Sequence, residues 1–146
     1  MTDARAALIF LRALPQVSAH DVGVIGHSFG GSLTVLMAES DSDLRAIVLF
    51  SAAGYSFDRS PELRQRLLTA LPRITAPVFF IHAENDYSLT SGKALNLKLE
   101  QIGKPHRLKI YPPIGRTVDD GHDFLHLGIA TWEPDVFAFL DKYMRK

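Results

Sequence analysis

The chain of 146 residues contains no cysteine. That excludes a disulfide framework, a thiolate zinc site and thiol redox chemistry, and it fits a reducing compartment. Net charge is also lacking, because sixteen Lys and Arg balance sixteen Asp and Glu. Nucleic acids and anionic membranes favour basic surfaces, so neither is an expected partner. Little self-repulsion is left to oppose association with another chain. No run approaches the ~18 apolar residues of a membrane-spanning helix. The first apolar stretch, 6–11, is bracketed by Arg5 and Arg12 and lacks a small-residue cleavage site. It reads as an amphipathic helix and not as a signal peptide, so a cytoplasmic protein is expected. The glycines form neither G-x-G-x-x-G nor a P-loop with its lysine, which argues against nucleotide binding. Without a repeat, a low-complexity tract or a linker, 1–146 is expected to be a single domain, long enough to bury roughly two-thirds of its unfolded surface.

What the chain does contain is a regular alternation of helix and strand patterns. Ala4, Ala7, Leu8, Leu11 and Leu14 recur at helical spacing, which predicts a helix over 3–14 that Pro15 stops. A short strand at 21–25 precedes a helix at 32–40, and a strand rich in β-formers follows at 46–50. After a loop containing Gly54 come a helix at 61–71, a strand at 78–82 introduced by Pro77, and a helix at 91–102 ended by Gly103. The last strand, 108–111, is halted by Pro112 and Pro113. A long loop, 114–128, leads to a final helix near 134–143 with Val136, Phe137, Leu140 and Tyr143 on one face. Helices between successive strands imply parallel pairing, hence an α/β sandwich around a four-stranded sheet.

The strand at 21–25 runs into Gly26-His27-Ser28-Phe29-Gly30, and a helix follows. G-x-S-x-G between a strand and a helix is the nucleophile elbow, where a sharp turn exposes the serine Oγ above the sheet. Small residues two before and two after the serine are expected, because strand and helix pass close together there. A serine hydroxyl needs a base to take its proton as it attacks, and histidine, which can also return that proton, suits the task. A carboxylate then fixes the histidine tautomer. Ligands and catalytic groups collect at the carboxyl ends of parallel strands. There the third strand runs into Glu84 and Asp86, and the fourth into a loop holding Asp119, Asp120, His122 and His126. The chain order Ser, acid, His is that of the α/β-hydrolase triad. Each position has a rival: Ser28 as a plain turn serine, Glu84 for Asp86, His126 for His122. The histidines and acids of 120–126 lack a convincing metal-ligand set, and no metal is expected.

On Gly26 to Gly31, His82 to Asp86, Tyr111 to Gly115 and Asp120 to Phe124, the chain resembles the dienelactone hydrolase-like branch of the α/β-hydrolase family. The likeness spans about 20–143 and matches only the C-terminal half of that fold. It implies a minimal α/β-hydrolase of about four parallel strands with flanking helices, lacking the N-terminal strands of the full fold. By resemblance Ser28 is the nucleophile, Asp86 the acid and His122 the base, while the Phe29 N–H supplies one oxyanion donor. The reaction implied is cleavage of a small-molecule carboxylic ester, short in its acyl chain, with no cofactor. The namesake enzymes use cysteine where this chain has Ser28, so their dienelactone substrate does not carry over. A peptidase-type member and a catalytically silent binding remnant are the rival readings.

Other residues carry paired readings. His27, Tyr55 and Tyr87 are candidates for the pocket, as are Phe57 and Trp132, although core packing explains aromatics equally well. Arg59 and Arg116 lie on loops where they would bind an acidic substrate or simply be solvated. His82 reads as a satisfied core histidine, and His20 and His106 as solvated loop residues. In the family's arrangement the strand at 21–25 sits mid-sheet, yet here nothing is left to pair with it. Val22, Val24 and Ile25 carry none of the usual protections of an edge, whereas Lys109 marks 108–111 as a true edge. A homodimer covering 21–25 and a largely bare sheet face is therefore expected.

Overall fold

Four strands pair side by side in the computed structural model, which describes residues 2–144. The extremes of the expected 1–146 domain, 1 and 145–146, lie outside the described residues. The elements follow as α1 (Thr2–Ala13), β1 (Val22–His27), α2 (Phe29–Ala38), β2 (Leu44–Phe50), α3 (Gly54–Arg59) and α4 (Pro61–Ala70). Then come β3 (Val78–Ala83), α5 (Thr90–Gln101), β4 (His106–Tyr111), α6 (Val118–His122), α7 (Phe124–Leu127) and α8 (Ile129–Met144). The sheet runs in the order β1-β2-β3-β4 with every pair parallel. His27 at the end of β1 stands opposite Phe50 at the end of β2, and Phe50 opposite Ile81, so β3 runs two residues further, to Ala83.

Alternation along the strands divides the core into two layers. Val22, Ile47, Leu49, Val78 and Phe80 face α1, α2, α4 and α5 through Leu8, Val35, Leu67, Leu95 and Leu99. Ala46, Val48, Phe50, Phe79 and Ile81 face the other way, against Phe124, Val136 and Phe139. Both layers are dry because β2 and β3 are apolar at nearly every position, the signature of strands covered on two sides. Ser60 caps α4 by accepting from the Leu63 N–H at 3.1 Å, with Pro61 preset for the first turn.

Several boundaries differ from the sequence reading. The helix expected at 32–40 begins at Phe29, directly after the serine. The loop around Gly54 contains α3, and the long loop 114–128 contains α6 and α7. Short helices of this kind escape a periodicity test because they complete hardly more than one turn. Thr117 starts α6 with a capping box, its side chain bound by the Asp120 N–H while Asp120 reaches back to Thr117. α8 starts at Ile129, so Pro134 lies inside it and not at its start. Its buried residues are Val136 and Phe139, whereas Phe137, placed on the core face by the sequence reading, is 55% exposed.

The second sheet face is also less bare than expected. α7 and α8 bring Phe124, Val136 and Phe139 over it, and Val48, Phe50, Phe79 and Ile81 are fully buried. Exposure is left at the β1 edge, where Ile25 is 49% exposed. On the opposite face an apolar groove of about 350 Å³ runs beside β1 between α1 and α2, lined by Ala4, Leu8, Val24, Leu33 and Met37.

Candidate active site

Ser28 sits between the last residue of β1 and the first of α2 with φ 51° and ψ −116°. A non-glycine residue there costs about 1–3 kcal/mol, so the surroundings must over-determine it. They do. Its N–H donates to the Phe50 carbonyl at 2.9 Å, and its own carbonyl accepts from the N–H groups of Gly31 and Ala53, each at 3.0 Å. The turn after β2 is therefore stitched to the elbow, and it contains two further positive-φ residues, Ser51 and Ala53.

The small residues of the motif are used unequally. A Cβ on Gly26 would lie 2.7 Å from the Gly30 carbonyl oxygen. A Cβ on Gly30 itself would meet nothing within 4 Å, whereas one on Gly31 would lie 2.7 Å from the Cβ of Ala52. The close approach that excludes a side chain after the serine thus falls at Gly31, one position later than the motif implies.

The structure brings Ser28, His122 and Asp86 into one line. The Ser28 hydroxyl donates to Nε2 of His122 at 2.8 Å, and Nδ1 of His122 donates to Oδ1 of Asp86 at 2.8 Å. Asp86 hangs from the loop after β3, and its side chain is fully buried. Burial pushes its carboxyl up, but hydrogen bonds from His122, His82 and Ser51 outweigh it and hold the group well below the usual carboxylate range. The Tyr87 N–H adds another bond to Oδ1 at 2.7 Å. The rivals stand elsewhere: Glu84 is exposed, and His126 pairs with Asp123 on the surface.

His122 is held from several sides. Its carbonyl accepts from Nε2 of His27 at 2.8 Å and from the Ser51 hydroxyl at 3.3 Å. The Tyr87 ring stacks on the imidazole at 4.2 Å, Tyr55 stacks on Tyr87 at 4.4 Å, and the Arg59 guanidinium lies 4.7 Å over Tyr55. A hydrogen bond to Asp119 pushes the Tyr87 hydroxyl up to about 12, so it stays protonated. Gly121 lets this loop reach the acid, since a Cβ there would lie 2.7 Å from the Asp86 nitrogen.

A cavity of about 340 Å³ opens beside Ser28, bounded by Leu33, Leu36 and Leu63 on one side and by Tyr55, Tyr87 and His122 on the other. Tyr55 and Tyr87 thus line it, while His27 lies behind the base. Trp132 belongs to the core: it packs on Phe50 and donates to the Leu125 carbonyl. Phe57 is buried likewise, and Arg116 is exposed away from the cavity. His106 opens β4 and bonds the Lys104 carbonyl, and is not a free loop residue. A larger cleft of about 490 Å³ lies at the other end of the strands, lined by His20, Asp43 and Arg45, where Arg45 pairs with Asp21. Among the described residues no cluster of His, Cys, Asp and Glu is arranged to hold a metal, and no helix is long and apolar enough to cross a membrane.

The partly missed residue is His82. Its Nδ1 donates to Oδ2 of Asp86 at 2.7 Å, while its buried Nε2 has no partner, so it is not the satisfied core histidine expected of it. Its spacing of four before Asp86, across a strand end, was the available signal.

A parallel sheet with an elbow at the end of β1 and an acid and a histidine on the next loops is the arrangement of the α/β-hydrolase fold. The chain belongs to the dienelactone hydrolase family, whose sequence model matches residues 1–125. No curated protein matches the chain significantly. Solved structures show the same fold. An acylaminoacyl peptidase from Pyrococcus horikoshii superposes with a TM-score of 0.76 at 19% identity, covering 99% of this chain and 28% of that one. An esterase from Pyrococcus furiosus gives 0.74 at 17% identity, with 97% and 60% covered. A dipeptidyl peptidase 4 from Porphyromonas gingivalis gives 0.73 at 18%, with 97% and 22% covered. The chain therefore spans only about a quarter of the length of the two peptidases and 60% of the esterase.

Proposed function

We propose that this chain is a hydrolase, a serine esterase acting through an acyl-enzyme on Ser28. The observation that carries the reading is the unbroken hydrogen-bond line Ser28–His122–Asp86, with both links at 2.8 Å and the serine held in a strained turn. Ser28 Oγ attacks the ester carbonyl as His122 Nε2 takes its proton, and His122 then gives that proton to the leaving alkoxide. Water reverses the sequence and releases the acid. Asp86 keeps the His122 proton on Nδ1, so that Nε2 is free to act as the base. Phe29 opens α2, so its N–H has no partner within the helix and is available to the developing oxyanion. The cavity walls of Leu33, Leu36 and Leu63 favour a short, uncharged acyl group.

The test is labelling by a fluorophosphonate together with hydrolysis of p-nitrophenyl butyrate. Ser28→Ala is expected to abolish labelling and to lower kcat by at least about 10³-fold. Retention of either in the variant refutes the mechanism. The peptidase names among the structural neighbours motivate an amide as second substrate, and comparing p-nitrophenyl esters with peptide anilides decides it. A wild-type chain that resists the fluorophosphonate is a silent remnant. We propose further that a second copy of the chain covers the β1 edge and the groove beside it, since that edge is apolar and carries no protective charge.

A further inference from the structure

Asp86 offers two oxygens, and they serve different histidines. Oδ1 accepts from His122 Nδ1 at 2.8 Å and from the Tyr87 N–H at 2.7 Å, while Oδ2 accepts from His82 Nδ1 at 2.7 Å. His82 comes from the end of β3 and is 1% exposed. α5 backs directly onto its ring, for a Cβ on Gly92 would lie 2.6 Å from His82 Cδ2. No room is left there for a partner, and the buried Nε2 makes no hydrogen bond. A proton on Nε2 would be a buried donor without an acceptor, and it would leave Asp86 Oδ2 without its donor. The ring proton therefore belongs on Nδ1.

We propose that His82 is a positioning residue of this site: as the Nδ1–H tautomer it anchors one oxygen of Asp86, so that the other is aimed at His122. The inference rests on the Ser28–His122–Asp86 reading above. A carboxylate on a loop rotates about its last bond unless both oxygens are held. His82 fixes that rotation from inside the core, where its own ring is locked by β3 and α5. Asp86 faces the ring directly, His122 and Tyr87 lie beyond Asp86, Asp119 holds the Tyr87 hydroxyl, and α5 presents the uncharged Ser91 and Gly92.

The experiment uses the full chain with ¹⁵N-labelled imidazoles, plus His82→Leu, which removes the donor, and His82→Asn, whose amide restores it near Nδ1. The wild-type ¹⁵N spectrum is expected to show His82 protonated on Nδ1 and bare on Nε2. His82→Leu is expected to lower kcat for p-nitrophenyl butyrate about tenfold while KM changes less than about twofold. His82→Asn is expected to recover most of kcat. An Nε2–H tautomer at His82 overturns the proposal without any turnover being needed. So does a folded His82→Leu with unchanged kcat, or loss in both variants that merely follows their melting temperatures. Failure of the underlying triad reading is separate, because it appears as activity retained in Ser28→Ala.

Discussion

Alanine at Gly30 and alanine at Gly31 should have opposite effects, although the two glycines are adjacent in the elbow. At Gly31 the new Cβ would sit 2.7 Å from Ala52 Cβ and 2.9 Å from Ala52 Cα. Carbon atoms pack at about 3.5–4.0 Å, so α2 and the turn after β2 would have to separate by roughly 1 Å. That turn has no slack, because Ala53 donates to the Ser28 carbonyl and both Ser51 and Ala53 hold positive φ. Overpacking of this kind costs about 1–3 kcal/mol. For a chain of this size each kcal/mol lowers Tm by about 2–4 °C, so Gly31→Ala is expected to melt roughly 2–12 °C lower. The same displacement moves Ser28 relative to His122, and a misplacement near 1 Å costs about 10²-fold in rate. Gly30→Ala meets nothing within 4 Å and lies in the first turn of a helix, where alanine gains up to about 1 kcal/mol over glycine. Its Tm should stay level or rise, with labelling of Ser28 retained. Thermal melts followed by circular dichroism, with fluorophosphonate labelling rates, test both. Equal melting temperatures and equal labelling in the two variants would refute the steric account.

Gly121→Ala should pry the base loop from the acid loop, since its Cβ would lie 2.7 Å from the Asp86 nitrogen; kcat is expected to fall about 10²-fold with KM nearly unchanged, by steady-state kinetics. Asp86 is held below its unfolded value, which is about 3.9. Its contribution to stability is therefore complete above about pH 4 and is lost as pH falls through the folded value, so Asp86→Asn should show a shallower acid-side decline of Tm than the wild type. The decline should not vanish, because Lys109, Tyr111 and Arg107 hold Asp135 low as well. Light scattering across micromolar concentrations should give the mass of a dimer, and a clean monomer would sink the proposal that a second copy covers β1.

Legibility in the sequence followed how much of each feature is local. The strands could be read because 46–50 and 78–82 are apolar runs between turn signals, and burial on both sides needs nothing subtler. The elbow could be read because its sharp turn demands small residues near a serine. α3, α6 and α7 could not, since each is held by tertiary contacts: Phe57 and Phe124 are buried by neighbours that the local pattern does not name. The same division runs through the candidate site. Ser28, Asp86 and His122 were named from chain order and resemblance, but the second partner of the acid was not. His82 belongs by spacing to a buried strand, and only the packing of α5 against its ring turns a core histidine into one with a single usable hydrogen bond. The register of β3 fixes that relation. His82 lies on the face of β3 that carries Val78 and Phe80, and the loop that follows brings Asp86, four residues on, within hydrogen-bond reach of it. The strand end therefore does two jobs, delivering the acid and clamping it, and the core that buries His82 is what gives the clamp its rigidity.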